Sequence, residues 1–405
     1  MTSLDAIRDQ FPILNRAVHD QPLVFLDSAA SSQKPQCVLD AMSHVYAHHY
    51  ANVHRGLHKL SEESTDAYEA TRGKVKALIN APSAQEVVFT SGATMALNII
   101  ASSWGGSNLT AGDEIVISIA DHHANIVPWQ MIAQRTGAVI KAVPVADDGS
   151  VSLDTITSMI TAKTKVVSLP HVSNVLGTVF PVKEIAAAAH DAGAIFVVDG
   201  CQGVVHMPVD VQDIGCDFYV FSAHKLYGPS GIGVMWGKME LLEAIPPFLG
   251  GGDMIDQVTI EASTYAEPPH RFEAGTPPIV EVIGLGAAID FVQSIGMDKI
   301  RDHEAELIRY AHQALSSVEG LTLIGTAPGK SGVVSFTMDC AHPHDISTIV
   351  DRKGVAIRAG HHCAQPLMDF MGLSSTARAS FGVYSRKEDV DALVNALGTV
   401  RKLFG

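Results

Sequence analysis

Lys225, in the motif FSAHKLYGP, occupies a position in which a lysine can do chemistry. It follows the apolar run DFYVF (217–221), which predicts a short buried strand, and it precedes a turn rich in glycine. Desolvation and nearby cations lower the pKa of a lysine amine, and an amine so tuned forms a Schiff base with a carbonyl compound. A solvated loop lysine is the ordinary alternative. A catalytic role for Lys225 is therefore supported only if other functional groups are predicted to lie near it.

Three more candidate groups follow predicted strands. Asp199 ends the apolar run 194–199, where a carboxylate is costly unless a cation such as a protonated pyridine nitrogen pairs with it. His122 follows the run 114–119 and is placed to stack on a flat ring. The SGAT turn (91–94) opens a helix and presents N–H groups to an anion, typically phosphate. Helix caps and surface side chains are the alternative interpretations.

A second set of candidates lies near the C-terminus. In RAGHHCAQP (358–366), Cys363 follows two histidines, and Arg358 is near it in the sequence. Cations lower the pKa of a thiol and raise its thiolate fraction. Arg378 is a candidate clamp for a substrate carboxylate, with a surface ion pair as the alternative. We predict no metal site, because consecutive residues such as His-His-Cys rarely converge on one ion.

Composition limits the class of protein. The 405 residues are 47% hydrophobic and 18% charged, which indicates a globular chain long enough for two domains. The net charge of −15 argues against nucleic-acid or anionic-membrane partners. Charged residues near the N-terminus and the lack of a long apolar stretch predict a cytoplasmic protein. The five cysteines are widely spaced and form no CxxC pair, so no disulfide framework is indicated.

The order of the elements predicts an α/β fold with a mostly parallel sheet. Continuous apolar runs alternate with helical segments, which is typical of a parallel sheet covered on both faces, and ligands bind beyond the carboxyl ends of such strands. The predicted strands span residues 86–90, 114–119, 138–143, 165–169, 194–199, 217–221 and 232–236. We divide the chain into an N-terminal segment that packs on the small domain (1–24), a large domain (25–285) and a smaller C-terminal α/β domain carrying Cys363 (286–405).

Together these motifs resemble the pyridoxal-phosphate enzymes of the class V aminotransferase group, and closely the SUF-type (group II) cysteine desulfurases and related cysteine sulfinate desulfinases. The motifs that occur in the family's order are LDSAAS, NVHRGLH, DHHANIVPWQ, SNVLGT, VDG-Q (198–202), DFYVFSAHKLYGP, RFEAGTP and RAGHHCAQP. The resemblance spans nearly the whole chain and implies a fold type I homodimer that binds pyridoxal 5'-phosphate. Ala93, Met95 and Cys201 stand where the family usually has Thr, Glu and Ala.

The resemblance implies a role for each matching residue. Lys225 would link to the cofactor, Asp199 would hold its ring nitrogen, and His122 would stack on its ring. Cys363 would take the sulfur, and Arg378 would hold the substrate carboxylate. Further cofactor contacts are implied for Gln202, Asn174, Thr94, Ser222, His224 and, from the other subunit, Thr276. Further substrate contacts are implied for Arg358, Asn174, His54 and Ala29.

The implied activity converts L-cysteine to L-alanine. The sulfur would be held as a persulfide on Cys363 and passed to a SUF-type acceptor protein (SufE- or SufU-like) for iron–sulfur cluster assembly. Selenocysteine lyase and cysteine sulfinate desulfinase are the nearest alternatives. An aminotransferase or epimerase of the same fold does not in general need Cys363, and a cofactor-binding scaffold does not need the whole set of groups. A zinc enzyme would be colourless and would contain stoichiometric metal.

Overall fold

The computed structural model describes residues 4–405, so the first three residues of the predicted N-terminal segment lie outside the described residues. The strands are β1 (Ala17–Val18), β2 (Gln21–Pro22), β3 (Val24–Phe25), β4 (Val87–Thr90), β5 (Glu114–Ser118), β6 (Val139–Val143), β7 (Thr164–Pro170), β8 (Ile195–Asp199), β9 (Phe218–Ser222), β10 (Gly233–Gly237), β11 (Ile255–Val258), β12 (Ser263–Tyr265), β13 (Leu321–Ile324), β14 (Val333–Met338), β15 (Val355–Ala356), β16 (Arg358–Gly360) and β17 (Thr376–Ser380).

The α-helices alternate with these strands through the large sheet and then cover the smaller one. They are α1 (Leu4–Arg8), α2 (Gln36–His48), α3 (Lys59–Leu78), α4 (Ala93–Ile99), α5 (Gly106–Asn108), α6 (Val127–Thr136), α7 (Leu153–Met159), α8 (Val182–Asp191), α9 (Gly203–His206), α10 (Val211–Ile214), α11 (Met239–Ala244), α12 (Ile279–Ile295), α13 (Met297–Ser316), α14 (Pro343–Asp351), α15 (Gln365–Phe370) and α16 (Lys387–Phe404). Within residues 4–405 no single helix is long and apolar enough to cross a membrane; α12 and α13 pass that test only as a joined pair, bent by 75°.

The large sheet contains the seven predicted strands, in the order β4-β10-β9-β8-β7-β5-β6. Strands β9, β8, β7, β5 and β6 pair in parallel, which confirms the predicted mostly parallel sheet. Strand β10 is the exception, because it is antiparallel to both β9 and β4. Only about ten residues separate β9 from β10, and a parallel connection needs a dozen or more.

Alternate residues of each central strand enter different cores. On β5, Val116 packs into one apolar cluster, whereas Ile115 and Ile117 pack into the cluster on the other face. All three side chains are buried. Burial on both faces explains why these strands are continuous apolar runs in the sequence and not alternating ones.

A second sheet, in the order β13-β14-β17-β16, is antiparallel throughout and packs with α13, α14 and α16. The run VAIRA (355–359) predicts a single strand of the small domain, and this prediction is wrong because the two halves of the run pair with different strands. Strand β15 pairs in parallel with β3 of the N-terminal region, and β16 pairs with β17. The predicted division at 24/25 falls within β3 and that at 285/286 within α12, so the domain limits stay a prediction.

A buried ion pair ties α3 to the segment before α12. Arg72 is 2% exposed, and its guanidinium donates to the two carboxylate oxygens of Glu273 over 2.7 and 3.0 Å. The same guanidinium donates to the carbonyl of Val87 over 2.7 Å, and the Phe89 N–H donates to Glu273 over 2.7 Å. Helix α3, strand β4 and the loop therefore share one charge pair. Glu69, one turn earlier on α3, also pairs with Arg72 over 2.8 Å, but its side chain is 37% exposed, so Glu273 is the buried partner of Arg72.

We expect Glu273→Leu to lower the free energy of unfolding by about 3 kcal/mol, because Arg72 then loses its buried counter-charge and keeps only the partly exposed Glu69, and the Phe89 N–H loses its acceptor. Urea denaturation followed by far-UV circular dichroism measures the change. Lys183→Ala is the matched control, since it removes an ion pair with Asp213 in which both side chains are 61% exposed, and its midpoint should equal that of the parent. Equal midpoints for the two variants would contradict the importance of the buried pair.

Candidate active site

A cleft lies where the carboxyl ends of the parallel strands face the small sheet. It has about 640 Å³ of atom-free space, part of which is open to solvent. Its lining combines segments from both sheets. The lining residues are Ala29, Ala30, Ala93, Thr94, His122, Ala124, Asn174, Asp199, Cys201, Ser222, His224, Lys225, Arg358, His362, Cys363 and Arg378. Most residues predicted to form a site are therefore brought together, although they are spread over 350 positions.

Lys225 is carried on a short 3₁₀ turn (Ala223–Lys225) directly after strand β9. The turn is held by the Ala223 N–H, which donates to the carbonyl of Ile232, and by the Gly228 N–H, which donates to the carbonyl of Ala223. The neighbouring His224 is neutral at physiological pH, because burial and the charge of Lys225 lower its pKa to about 4. The amine is thus anchored to a core strand and directed into the cleft lining.

Asp199 is buried at the end of β8, with 7% exposure. One of its carboxylate oxygens accepts a hydrogen bond from the Cys201 N–H over 3.0 Å. Among residues 4–405, no cationic side chain lies within ion-pairing distance of this carboxylate. A buried carboxylate of this kind is expensive without a cation, so the cleft is electrostatically suited to a positively charged ring nitrogen.

His122 is fixed by its own turn and by the network behind it. Its Nδ1 accepts a hydrogen bond from the Ala124 N–H over 3.0 Å, so the ring proton of the neutral imidazole is on Nε2. Burial and the charge of Lys225 lower its pKa to about 4. The adjacent Asp121 is fully buried and accepts hydrogen bonds from the Ser118 N–H and the Asn125 side chain, over 2.7 and 2.9 Å. His122 therefore presents a neutral ring in one orientation.

The turn between β4 and α4 approaches the cleft closely. Gly92 has φ +148°, and a Cβ added to Gly233 would lie 2.5 Å from the Gly92 Cα, so both positions require glycine. The Ala93 N–H donates to the Ser222 hydroxyl over 2.9 Å, which leaves that N–H engaged within the chain. Thr94 is exposed at the cleft edge. This end of the cleft offers hydroxyl groups and backbone N–H groups close together.

The opposite end of the cleft is built around Arg378, which is 2% exposed on β17. Its Nη1 donates to the carbonyl of Asn174 over 2.8 Å, and its Nη2 to Asp27 over 3.3 Å. Its Nε is buried and has no partner among the described residues. Arg358 pairs opposite Arg378 in the sheet and lies 4.0 Å from Asp27, but its side chain is exposed. Burial lowers the pKa of Arg378 to about 10, so the guanidinium stays charged at neutral pH.

Cys363 stands on a loop with unusual backbone angles. Both His362 and Cys363 have positive φ, +51° and +56°, a conformation that side-chain-bearing residues seldom adopt. The Asn174 side chain donates to the carbonyl of His362 over 2.8 Å, and the His123 N–H donates to the carbonyl of Cys363 over 2.7 Å. Both strained residues are thus held by the large sheet. Within residues 4–405, no group of three or more His, Cys, Asp or Glu side chains is placed to hold a metal ion.

Three residues predicted for the site do not line the cleft of the single chain. Gln202 is buried behind it; its amide donates to the carbonyl of Ala29 over 3.0 Å, and its oxygen lies 3.1 Å from His206 Nε2. The Nε2 of His54 lies 2.9 Å from the Oε1 of Glu69 on α3. Thr276 lines a separate groove next to α4. Their assignments stay predictions, and that for Thr276 already requires a second subunit.

The structure also adds residues to the site. Asp27, in the motif LDSAAS, pairs with Arg378. His362 lines the cleft, and its buried Nδ1 has no hydrogen-bond partner in the part of the chain that the structure describes. An acidic residue within a run of small residues was the sequence signal for Asp27. Cys201 also lines the cleft, but burial, followed by the negative charge of Asp199, raises the pKa of its thiol to about 12. That thiol is protonated and a poor nucleophile at neutral pH.

Comparison with known proteins agrees with this architecture. The family model of class V aminotransferases matches residues 24–393. A probable cysteine desulfurase of Halalkalibacterium halodurans is 50% identical over 399 residues, 98% of each chain. A cysteine desulfurase of Serratia proteamaculans is 50% identical over 403 residues, 99% of each chain. The crystal structure of the cysteine desulfurase CsdA from Escherichia coli superposes with a TM-score of 0.93 and 40% identity over 100% of both chains.

The fold is therefore that of the fold type I enzymes that depend on pyridoxal phosphate, as the sequence predicted. Within that class, the chain belongs to the class V aminotransferase family.

Proposed function

We propose that this protein is a cysteine desulfurase that depends on pyridoxal phosphate. It converts L-cysteine to L-alanine and keeps the sulfur as a persulfide on Cys363. The observation that carries the proposal is that Cys363 lines the same cleft as Lys225, Asp199 and Arg378. Relatives 50% identical over nearly the whole chain bear the name cysteine desulfurase, which supports the same activity.

The cleft residues fit the cofactor in charge and in hydrogen bonding. Asp199, a buried carboxylate without a cationic side chain beside it, would hold the protonated ring nitrogen. The neutral ring of His122 would stack on the cofactor, and Lys225 would hold it covalently. Asn174 lines the cleft, and Gln202 lies directly behind Ala29. We propose that both side chains contact the ring oxygen of the cofactor or the substrate. Their amide groups are oriented by the hydrogen bonds that they donate to the carbonyls of His362 and Ala29.

The phosphate would lie at the glycine turn before α4. Thr94, Ser222 and His224 line that end of the cleft and would supply its hydrogen bonds. The Ser222 hydroxyl accepts from the Ala93 N–H, so its own proton is free to be donated to a phosphate oxygen. Thr276 would complete the cradle from the partner subunit of a homodimer, which accounts for its place outside the cleft of one chain.

When bound, pyridoxal phosphate supplies the electron sink that makes the α-proton of the amino acid acidic. The Nζ of Lys225 takes that proton, because it is the flexible amine in the cleft. Arg378 orients the substrate through its carboxylate, using the Nε–H that has no partner within residues 4–405. Arg358, at the exposed side of the cleft, adds positive charge near the same carboxylate. We also retain Ala29 and His54 as proposed substrate contacts.

Cys363 carries out the sulfur transfer. Its thiolate forms a bond to the substrate sulfur, the bond between that sulfur and the substrate Cβ breaks, and the electron pair stays on Cβ. Cβ takes up a proton and becomes the methyl group of alanine. The proton that the Cys363 thiol gives up balances this one, so the half-reaction needs no external oxidant or reductant. The product is a persulfide on Cys363.

Sulfur leaves the enzyme, on this proposal, by attack of an acceptor thiol on the Cys363 persulfide. The acceptor is a SUF-type protein that delivers sulfur to iron–sulfur cluster assembly. The loop carrying Cys363 is held on both sides, by strand β16 and by helix α15, which supports a persulfide that stays in the cleft. The cytoplasmic location stays a prediction.

Borohydride reduction of the yellow holoenzyme should fix the cofactor to Lys225, and Lys225→Ala should lose both the covalent link and the visible band of the linked cofactor. Peptide mass mapping locates the label. Lys34 is the internal control, since it is the other lysine beside this turn and donates to the His224 carbonyl over 3.0 Å. A label on Lys34, or none on Lys225, would contradict the assignment.

Cys363→Ala should keep the cofactor band and its change on adding L-cysteine, yet form alanine at least about 10³-fold more slowly, because only the nucleophile is missing. Alanine and sulfide assays measure the loss. Cys37→Ala, which removes an exposed cysteine on α2, should retain the parent rate. If Cys363→Ala turns L-cysteine over like the parent, the persulfide mechanism is wrong and a reaction that does not need this thiol, such as transamination, takes its place.

With L-cysteine alone, the persulfide should accumulate on Cys363 and turnover should be low. Adding a SUF-type acceptor from the same organism should raise the rate severalfold, because its cysteine reaches the cleft mouth. Titrating dithiothreitol and the acceptor separately measures the two routes. A full rate with dithiothreitol alone, to which the acceptor adds nothing, would show that small thiols reach the persulfide freely.

A further inference from the structure

The second histidine of the DHHAN motif, His123, has no role in the chemistry described above. It begins the 3₁₀ turn His123–Asn125 that follows strand β5. Its side chain does not line the cleft. It lines a separate shallow groove, together with Gln365, Pro366 and Asp369. This groove lies on the outside of the loop 361–364 between β16 and α15, called the cysteine loop below because it carries Cys363.

His123 makes two hydrogen bonds to the cysteine loop. Its main-chain N–H donates to the carbonyl of Cys363 over 2.7 Å. Its imidazole Nε2 accepts from the N–H of Gln365 over 3.0 Å. One residue of the turn after β5 thus contacts both Cys363 itself and Gln365, two residues further along the chain.

The cysteine loop needs such contacts for two reasons. His362 and Cys363 both have positive φ, which costs free energy and persists only when neighbouring groups hold it. Gln365 is the first residue of α15, and the N–H groups of a first helical turn have no partner within the helix. The residue at the N-cap, Ala364, provides no side-chain acceptor, so the imidazole of His123 caps the helix from another part of the chain.

The charge state of His123 agrees with this capping. Nε2 accepts the hydrogen bond only while it is unprotonated. Burial and the nearby His361 lower the pKa of His123, which favours the neutral ring that the Gln365 N–H requires.

We propose that His123 is a positioning residue for Cys363: its imidazole caps helix α15 and so keeps the thiol, and the persulfide formed on it, inside the cleft. The effect on sulfur transfer rests on the proposed function. If Cys363 carries the persulfide, the side chain of His123 restricts sulfur release to thiols that reach the cleft. Without the imidazole the first turn of α15 frays, and the cysteine loop opens toward solvent more often.

The test compares His123→Ala with His123→Gln in the holoenzyme. The Gln amide oxygen reaches about as far as Nε2 and restores the acceptor, whereas Ala removes it and leaves the main-chain bond to Cys363 intact. Iodoacetamide labelling without substrate, followed by peptide mass mapping, gives the rate at Cys363, with the exposed Cys37 as internal reference. We expect His123→Ala to raise the Cys363 rate about two- to tenfold over the parent, and His123→Gln to stay near the parent.

A second measurement follows the sulfur. In His123→Ala the turnover supported by dithiothreitol alone should rise relative to that supported by the acceptor protein, and in His123→Gln the ratio should match the parent. Equal labelling of Cys363 in the parent and His123→Ala overturns the proposal. So does a His123→Ala protein whose cofactor band is altered while Cys363 labelling is unchanged, since the residue would then act on His122.

Labelling of Cys216, which is fully buried, reports unfolding. If Cys216 becomes labelled in His123→Ala, that variant has unfolded and the test uses His123→Gln instead. Labelling of Cys363 in His123→Gln at the parent rate supports the capping role, and faster labelling there overturns it. Because alkylation needs no turnover, a protein that makes no alanine refutes the proposed function without changing this outcome.

Discussion

The cleft depends on the buried guanidinium of Arg378. A charge at 2% exposure must be compensated, and here the compensation comes from two distant parts of the chain: the carbonyl of Asn174, in the loop after β7 of the large sheet, and the carboxylate of Asp27, shortly after β3. The guanidinium therefore joins the two sheets and the residues after β3 at one point. Its Nε–H has no partner among residues 4–405, so the group that joins the sheets also presents a donor to a ligand carboxylate.

The parallel order of the large sheet explains the other side of the cleft. Strands β5, β7, β8 and β9 run in one direction, so the residues that follow them meet at one edge. His122, Asn174, Asp199 and Lys225 come from four separate strand ends, yet all line one cleft. The antiparallel hairpin of β9 and β10 then folds the chain back behind Lys225 and presses Gly233 against Gly92. Close backbone packing at that point leaves space only for glycine.

Local sequence pattern was enough to predict the large sheet. Each of the seven strands was an apolar run of strand length bounded by polar or glycine residues, and six of them are buried along most of their length. The edge strand β6 is partly exposed and includes Lys141. The residues of the cleft were predictable because strand ends of a parallel sheet share an edge, and because the motifs resemble a known family. Pairings between distant segments were not predictable in this way. The division of 355–359 between β3 and β17, and the ion pair of Asp27 with Arg378, depend on tertiary packing that no local pattern encodes. The same holds for the amide of Gln202, which His206 and the Ala29 carbonyl orient.

The pairing of β3 with β15 has a consequence for biosynthesis. Leu26, next to β3, packs in the core of the small sheet with side chains from residues 307–400. Strand β15, the partner of β3, leaves the ribosome roughly 330 residues later. At ~5–20 residues per second, the nascent chain carries this apolar segment unpaired for on the order of 15–65 s. Strand β3 is therefore synthesised well before its partner, and the apolar side chains beside it stay uncovered for that time.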